Sequence, residues 1–392
     1  MYLFKILTEL DKKKQLEDSE TLAKIDYRNI SSIVTVIKDE VIGEAFSPDV
    51  LTEEEKENSI KINDLNELAS FIGSGVYIKK GEPSRIYAEK SGELIFSDGK
   101  FYVNDTLKIE NIDFKTGNIV FPGDVIVEGD IKAGFSINAR NIHIKGAVDN
   151  AELIAGETVI VHGGVIGLQS SDFCKVKAGR IVILNFIENS SIECDGAVYI
   201  RQSSMHTDIY AKERIAIYGN PGLAVGGELI SRKNIAVKEA GSKWGTKTIL
   251  KVGIDPFKYL RLKNSEEKIS QLTNLMEEVD KSINYINSVL ADNNQEAHRD
   301  KEELEQELKE IEEKKAALSR RINRLRSIVS KLKTSIEEEN KKLNLDDTSV
   351  YIFNKIFPGV EFRVGIEHHR VYDETEGAQI SLENDKIVFK KI

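Results

Sequence analysis

The stretch VIVEGDI at residues 125–131 is followed along the chain by similar stretches at long, nearly constant steps. The later rows are IHIKGAV from 142, VIVHGGV from 159, IVILNFI from 181, VYIRQSS from 198 and IAIYGNP from 215, with steps of 17, 17, 22, 17 and 17 residues. The first and third positions of every row are aliphatic, and in a β-strand these two side chains point to the same face. An aliphatic pair that recurs at this period predicts a parallel β-solenoid, in which each row adds one layer to a continuous core.

The positions around each aliphatic pair carry mixed side chains. Between the paired positions lie Ile126, His143, Ile160, Val182, Tyr199 and Ala216, and after them lie Glu128, Lys145, His162, Leu184, Arg201 and Tyr218. A column of small residues consists of Ala139, Ala155, Ala178, Cys194 and Ala211. Cys194 stands where other rows have alanine, so we expect it to be a packing residue. The outward columns repeat no single chemical group, which predicts a platform and not a catalytic face.

The composition narrows the class of protein. A chain of 392 residues allows two or three domains, and its formal net charge of -10 argues against a protein that coats nucleic acid. No apolar run approaches the ~18 residues of a membrane span, and the N-terminus MYLFKILTEL becomes charged too soon for a signal peptide. Cys174 and Cys194 lack metal-type spacing, so we expect reduced core thiols in a cytosolic protein, with a disulfide as the alternative.

Changes of pattern divide the chain into four regions. Residues 1–74 are predicted to form a small N-terminal α/β region, 75–254 the β-solenoid, 255–346 an antiparallel coiled-coil hairpin, and 347–392 the C-terminal solenoid strands and a cap. The stretch SVYIFNKIFPGVEFRVG at 349–365 resumes the row pattern after the helical region, so the coiled coil is inserted into the solenoid. The fold class is therefore mainly β: a right-handed parallel β-solenoid with an inserted coiled-coil arm.

The arm is indicated by apolar residues at steps of three and four, which run through residues 262–290 and again through 304–343. Such heptad spacing, with the polar break at 291–300, predicts two helices that turn near Gln295 and pack as an antiparallel coiled coil. Its polar residues at core positions are Lys315 and Glu339.

Three groups of residues are candidates for chemistry, and in each a structural role explains the pattern better. They are the carboxylates Asp124, Glu128 and Asp130, the pair His143 and His162, and the glycine-rich stretch 219–228. The carboxylates occur in one row only, and the histidines lie in different columns with no Cys or Asp partner at metal-ligand spacing. The glycine-rich stretch lacks the Lys-Ser/Thr of a phosphate-binding loop. We therefore predict no catalytic, cofactor-binding or metal-binding residue, and no cofactor.

The basic run SRRINRLRSIVSKLK at 319–333 is a further candidate, for nucleic acid or anionic lipid. An antiparallel hairpin offers another explanation, because its two helices exchange charges. The expected contacts join Arg320–Arg326 to Glu266 and Glu267, and Lys314 to Glu277 and Glu278.

Residues 112–167 resemble the repeat region of the flagellar assembly protein A family, whose solenoid is similar to the C-terminal domain of the septum-site inhibitor MinC. Further matching parts follow in the same order along the chain. They are KIDYRNI from Lys24, AEKSGELIF from Ala88, the pair Gly226-Gly227, AGSKWGTKTILKVGIDP from Ala240 and KIFPGVEFRVG from Lys355. The order of these unusual parts makes the resemblance specific over most of residues 24–392.

The resemblance implies a cytoplasmic bacterial protein that is linked to flagellar assembly and motility and has no established catalytic residues. We expect a non-enzymatic scaffold or adaptor that binds protein partners of unknown identity through the solenoid face or the coiled-coil arm. A homo-oligomer is an option, whereas nucleic acid and integral membrane association are not expected. The alternative is a MinC-like or cytoskeletal assembly regulator that self-associates through the solenoid. A carbohydrate-active enzyme is disfavoured because the rows lack a ladder of outward carboxylates.

Overall fold

The structure is a computed structural model, and it describes residues 2–7, 34–169, 174–291, 301–342, 348–384 and 386–392. Three sequence expectations lie outside the described residues: the element that starts at Lys24, the turn near Gln295 and the last heptad position at Leu343.

The N-terminal part consists of two small antiparallel sheets. Its strands are β1 (Tyr2–Ile6), β2 (Thr35–Val36), β3 (Val41–Phe46), β4 (Ile60–Ile62), β5 (Val76–Ile78), β6 (Arg85–Ala88), β7 (Gly92–Ser97) and β8 (Lys100–Asn104). One sheet has the order β4-β1-β3-β6-β5 and the other the order β2-β7-β8. Helix α1 (Glu53–Glu57) and 3-10 turns at Pro48–Val50 and Leu65–Phe71 connect the strands. The two sheets share one core, in which the rings of Phe4 and Phe101 lie 6.0 Å apart.

The first strand of the solenoid is β9 (Thr106–Ile109), about thirty residues after the boundary that the sequence pattern suggests at residue 75. Strands β5 and β6 pair antiparallel within the first N-terminal sheet. Strands β7 and β8 form a hairpin with its turn at Asp98-Gly99, where both residues have positive φ. Apolar and polar residues alternate in an antiparallel hairpin just as in a solenoid row, so this pattern does not separate the two.

From β9 onward the chain winds through stacked rows. The strands are β10 (Ile119–Val120), β11 (Asp124–Val127), β12 (Ser136–Ile144), β13 (Val148–Asp149), β14 (Glu152–Ile166), β15 (Lys175–Ala178), β16 (Ile181–Glu188), β17 (Ser191–Cys194), β18 (Ala197–Met205), β19 (Asp208–Ala211), β20 (Arg214–Ile217), β21 (Leu223–Val225), β22 (Gly227–Ser231), β23 (Asn234–Ala240) and β24 (Thr248–Val252). Neighbouring rows pair in parallel, as expected.

Two of the faces of this stack are named by their residues. Face A consists of 106–109, 124–127, 141–144, 158–161, 181–184, 197–200, 214–217, 234–237 and 349–352. Face B consists of 136–139, 152–155, 175–178, 191–194, 208–211, 228–231, 249–252 and 361–364. Along both faces, successive side chains alternate between the core and the outside, and those in the core are mostly aliphatic.

The row at residues 181–184 is shifted by one residue from the sequence alignment. Val159 pairs with Val182, whereas the sequence alignment pairs it with Ile181. The steps between paired residues in successive rows, counted from residue 125, are therefore 17, 17, 23, 16 and 17 residues. Val182 and Leu184 are buried, at 0% and 1% exposure, whereas Ile181 and Ile183 face outward. Four consecutive apolar residues fit either alignment, and a slip of one residue exchanges the two faces of a strand.

The small-residue column lies where the sequence predicts it. Ala155, Ala178 and Cys194 stack on one another in successive rows of face B, and Cys174 and Cys194 are buried free thiols. The chain next turns from face B to face A at a tight corner. There a Cβ on Gly196 would lie 1.9 Å from the carbonyl oxygen of Arg180 in the previous row, so only glycine fits.

The coiled-coil arm is inserted between two consecutive rows. It consists of α2 (Pro256–Ala291) and α3 (Lys301–Lys342), after which β25 (Ser349–Ile356) pairs with β23 and β26 (Val360–Val364) with β24. The two helices pack on each other through residues such as Leu272, Val279 and Ile322. The rows before and after the arm therefore belong to one solenoid, as predicted.

The end of the stack is covered by antiparallel strands. These are β27 (Glu367–Arg370), β28 (Thr375–Glu376), β29 (Ala378–Glu383) and β30 (Lys386–Lys391). Strands β28 and β29 pair antiparallel with β25, and β29 and β30 form the terminal hairpin that the sequence predicts. Antiparallel strands that cover the last row leave it unavailable for further parallel stacking.

Candidate functional site

The root of the arm is seated on face B. Outward side chains at Tyr210 and Ile230 are buried, whereas outward positions in the earlier rows of this face are at least partly exposed. They form a small second core with Ile254 and the first turn of α2, which contributes Phe257 and Leu260. This apolar contact fixes the arm to the solenoid where α2 begins.

A lysine bridges the arm to two rows of face B. The Nζ of Lys263 lies 3.1 Å from Asp208 Oδ2 and 3.2 Å from Glu228 Oε2. Asp208 also accepts a hydrogen bond of 2.9 Å from the backbone N–H of Glu228. Burial on its own lowers the pKa of Lys263, but the nearby Asp208, Tyr210 and Glu228 outweigh it and hold the pKa above its ordinary value. Lys263 therefore stays charged and connects the two structural parts.

A second lysine at the root, Lys251, has a lowered pKa, whereas that of Lys263 is raised. The Nζ of Lys251 lies 4.3 Å from the ring centroid of Tyr259. Burial lowers the pKa of Lys251 to about 8, and the neighbouring Arg363 acts in the same direction. Arg363 itself donates a 2.7 Å hydrogen bond from Nε to Glu361. A cleft of about 420 Å³ opens beside these groups, between face B and Ile336 of the arm.

The outward side of face A carries a line of largely apolar side chains. With the corrected row alignment, this line consists of Ile126, His143, Ile160, Ile183, Tyr199, Ala216, Ala236 and Tyr351. All of these side chains are partly exposed. The sequence alignment places Val182 in this line where the structure places Ile183, and the line is largely apolar with either residue. We call this line the face A stripe.

The two histidines that the sequence places in different columns are brought into contact by the structure. Their Nε2 atoms are 2.7 Å apart, with His143 in the face A stripe and His162 at the adjoining corner. Burial and the neighbouring His162 lower the pKa of His143, so the pair resists double protonation. Among the described residues, no three His, Cys, Asp or Glu side chains are grouped to hold a metal ion.

The three carboxylates in the first complete row each have a local partner. Asp124 accepts hydrogen bonds of 2.8 Å from Arg140 Nε and from Asn141 Nδ2. Glu128 pairs with Lys145, and Asp130 Oδ1 accepts a 2.9 Å hydrogen bond from the backbone N–H of Ala147. These partners join neighbouring rows, which is the structural role that the sequence favours for this cluster.

The glycine-rich stretch 219–228 is a corner of the solenoid. Gly226 and Gly227 both have positive φ, and the backbone N–H of Gly226 donates a 2.8 Å hydrogen bond to Thr248 Oγ1 in the next row. The loop is thereby held against the stack, in agreement with the structural role that the sequence favours.

The charges within the arm pair at other positions than the sequence suggests. Ion pairs join Lys333 to Glu266 at 2.8 Å and Lys315 to Asp280 at 2.7 Å. A third pair joins Lys258 to Glu339, so both polar residues at core positions have partners. In the described part of the chain, Arg320–Arg326 make no ion pair with Glu266 or Glu267. The two helices are offset along each other from the alignment that a turn near Gln295 predicts, so Glu266 lies beside Lys333 instead. Pairing within the arm therefore explains Lys333 of the basic run, but not Arg320–Arg326.

None of the described helices is long and apolar enough to cross a membrane. Comparison with known proteins gives one match: a family model described as the flagellar assembly protein A β-solenoid domain matches residues 105–387. No curated protein and no solved structure matches the chain significantly. The matched range begins one residue before β9 and includes the inserted arm.

Proposed function

Since this chain belongs to the flagellar assembly protein A family, we propose that it is a non-enzymatic cytoplasmic scaffold of flagellar assembly that binds a protein partner along the face A stripe. Family membership connects the chain to flagellar assembly. The scaffold role, the partner and the cellular compartment are the parts that we propose.

The observation that carries the proposal is the stripe itself. Its members Ile160, Ile183 and Tyr199 come from three successive rows and keep apolar surface in contact with water. A sheet with one solvated face normally alternates apolar-in and polar-out, and a continuous outward apolar line marks an interaction surface. Because the rows are locked in one parallel stack, the surface is pre-formed and loses little entropy on binding.

The surroundings of the stripe suit a specific contact. One side is lined by Glu128, Lys145 and Arg201, and the other by Asp124 and Arg214. An apolar centre with a charged rim is the usual anatomy of a protein–protein interface. The arm is seated on face B, so it leaves the stripe free for a partner.

No catalytic, cofactor-binding or metal-binding role is assigned to any residue, and this absence of chemistry is part of the proposal. The polar groups that the sequence marks as candidates are engaged in structural contacts between rows, as for Asp124 and Glu128. The chemistry that remains on face A is therefore that of recognition.

The proposal is tested by adding charge to the stripe. In a strain that lacks the gene, the double variant Ile160→Glu and Ile183→Glu should fold but fail to restore flagella, counted by electron microscopy, and swimming. The matched control is Val120→Glu with Asn138→Glu, which adds the same charge at two neighbouring outward positions that align with face B. Full restoration by the stripe variant contradicts the proposal.

The same variants also test the alternative function, self-association through the solenoid. Sedimentation of the pure protein should be unchanged by the two stripe substitutions if the occupant is another protein. If the wild-type protein forms oligomers that these substitutions dissolve, face A is a contact between copies of the chain and the scaffold proposal is replaced by the assembly-regulator one.

A further inference from the structure

We propose that the arm joins two copies of this chain, with the outer side of α3 packed antiparallel against the same side of α3 in the second copy. The contact is separate from the face A stripe and does not depend on the partner proposed there. Its basis is the order of charges along one line of exposed residues on α3, which we call the outer stripe. From its distal to its proximal end it consists of Glu303, Gln306, Glu310, Glu313, Ala317, Arg320, Arg324, Ser327 and Lys331.

The outer stripe lies opposite the side of α3 that contacts α2. The residues that face α2, such as Leu318, Ile322 and Leu325, are buried or partly buried, whereas every residue of the outer stripe is exposed. Successive members are three or four residues apart, which keeps them on one side of an α-helix. The stripe is thus a continuous surface along the arm that α2 does not cover.

The charges of this surface are divided between its two halves. On the distal side of Ala317 every charged member is a glutamate, and on the proximal side every one is an arginine or lysine. Within the described part of the chain, none of these six charged side chains takes part in an ion pair. Arg320 and Arg324 are four residues apart and have no carboxylate within four residues on α3, so their like charges repel each other along the helix.

The division is symmetric about Ala317, and this symmetry points to a second copy as the occupant. In an antiparallel pair with its two-fold axis at Ala317, Glu313 of one copy lies opposite Arg320 of the other. Glu310 is then opposite Arg324, Glu303 opposite Lys331, and the uncharged Gln306 opposite Ser327. A two-fold contact must be self-complementary, and this stripe satisfies that condition at each position. The small side chain of Ala317 allows close approach at the axis.

The contact is expected to be weak and sensitive to salt. From Glu303 to Lys331 the stripe spans about 42 Å at 1.5 Å per residue. A single helix–helix contact of that length buries roughly 800 Å² in total, below the range of permanent dimers. Exposed ion pairs each contribute little to the free energy of association and are screened by salt. The geometry therefore predicts a dimer that forms at high protein concentration and dissociates reversibly.

The test is a charge exchange measured by sedimentation equilibrium of the full-length chain at roughly 20 mM and 500 mM salt. The wild-type protein should dimerise at low salt, with a dissociation constant that rises about tenfold or more at high salt. Two variants each carry one sign of charge at the four charged positions nearest Ala317: Glu310→Lys with Glu313→Lys, and Arg320→Glu with Arg324→Glu. Each alone should be monomeric, an equimolar mixture should form the heterodimer, and the chain with all four changes should dimerise again.

The control is Lys268→Glu with Lys281→Glu, which makes the same change in net charge as the arginine variant, at exposed positions of α2, and should leave the dimer intact. Circular dichroism melting verifies that each variant is folded. A wild-type chain that stays monomeric at low salt contradicts the inference, as do variants that fail to complement each other in the mixture. If only the arginine substitutions have an effect, the basic half binds something other than the acidic half of a second copy. None of these failures bears on the face A stripe, which the flagellar complementation tests separately.

Discussion

At the scale of single residues, the position of the arm depends on Lys263. Its side chain is 29% exposed, and those of its partners Asp208 and Glu228 are 33% and 17% exposed. Removal of one partner from a fully buried ion pair costs about 3–5 kcal/mol, and partial exposure reduces that cost. We expect Lys263→Met to lower the free energy of unfolding by about 1–3 kcal/mol in denaturant titrations.

The matched control for this substitution is Lys333→Met. Lys333 pairs with Glu266 in the same arm, but both side chains are about half exposed, so the loss should stay below about 1 kcal/mol. If the two variants lose the same stability, Lys263 does not anchor the arm more strongly than a surface ion pair does.

The lowered pKa of Lys251 predicts how the stability of the fold changes with pH. Its pKa is lowered to about 8 by burial and by Arg363, and in the unfolded chain it is about 10.4. Between these two values the unfolded chain binds more protons than the folded one, so the contribution of Lys251 to stability increases as pH rises from 8 to 10.4. Lys251→Met should therefore raise the melting temperature at pH 7, and this gain should shrink by pH 10. A gain that is constant or grows with pH would show that the Lys251 side chain is not desolvated.

At the scale of a single strand, the alignment of β16 decides which residues support the core. Leu184 is 1% exposed and Ile183 faces outward, the reverse of the sequence alignment. Truncation of a buried leucine to alanine costs about 2–5 kcal/mol, and an outward isoleucine at a partly exposed position costs about 1 kcal/mol or less. Leu184→Ala should thus lower the urea midpoint much more than Ile183→Ala. The opposite ranking would restore the alignment with steps of 17 and 22 residues.

Much of the fold could be predicted from the chain because some rows have only one possible alignment. Ala178 and Cys194 are small residues in a column of small residues, and the structure places them there. The row at 181–184 is apolar throughout, so its face is set by neighbouring rows and not by its own pattern. The start of the solenoid was placed too early for a similar reason, since hairpins and rows share one alternation.

The functional surfaces are harder to predict from the sequence, for two reasons. Asp208 and Lys263 are 55 residues apart, and no local pattern joins them. In the sequence, the apolar residues Tyr210 and Ile230 at outward positions of face B indicate that another part of the chain covers that face. The apolar line of the face A stripe is visible in the sequence with Val182 in place of Ile183, but the sequence does not show which face of the solenoid the arm covers.

At the scale of the whole molecule, the arm and the two faces of the solenoid have separate positions. The arm leaves the stack between β24 and β25, is seated on face B and leaves face A uncovered. Under the two proposals made above, one chain holds a partner on face A while its arm contacts a second copy. The rows that pair across the insertion keep these surfaces in fixed relation.

The most direct measurement is photo-crosslinking in cells that are building flagella. A photoreactive phenylalanine analogue at Ile183 should crosslink this chain to a protein of the flagellar assembly machinery, and Tyr199→Glu in the same chain should suppress the product. The same analogue at Val120, which is 70% exposed beside face B, should give no such product. Equal crosslinking from Val120, or none from Ile183 in cells that assemble flagella, would contradict the account of face A as the surface that binds the partner.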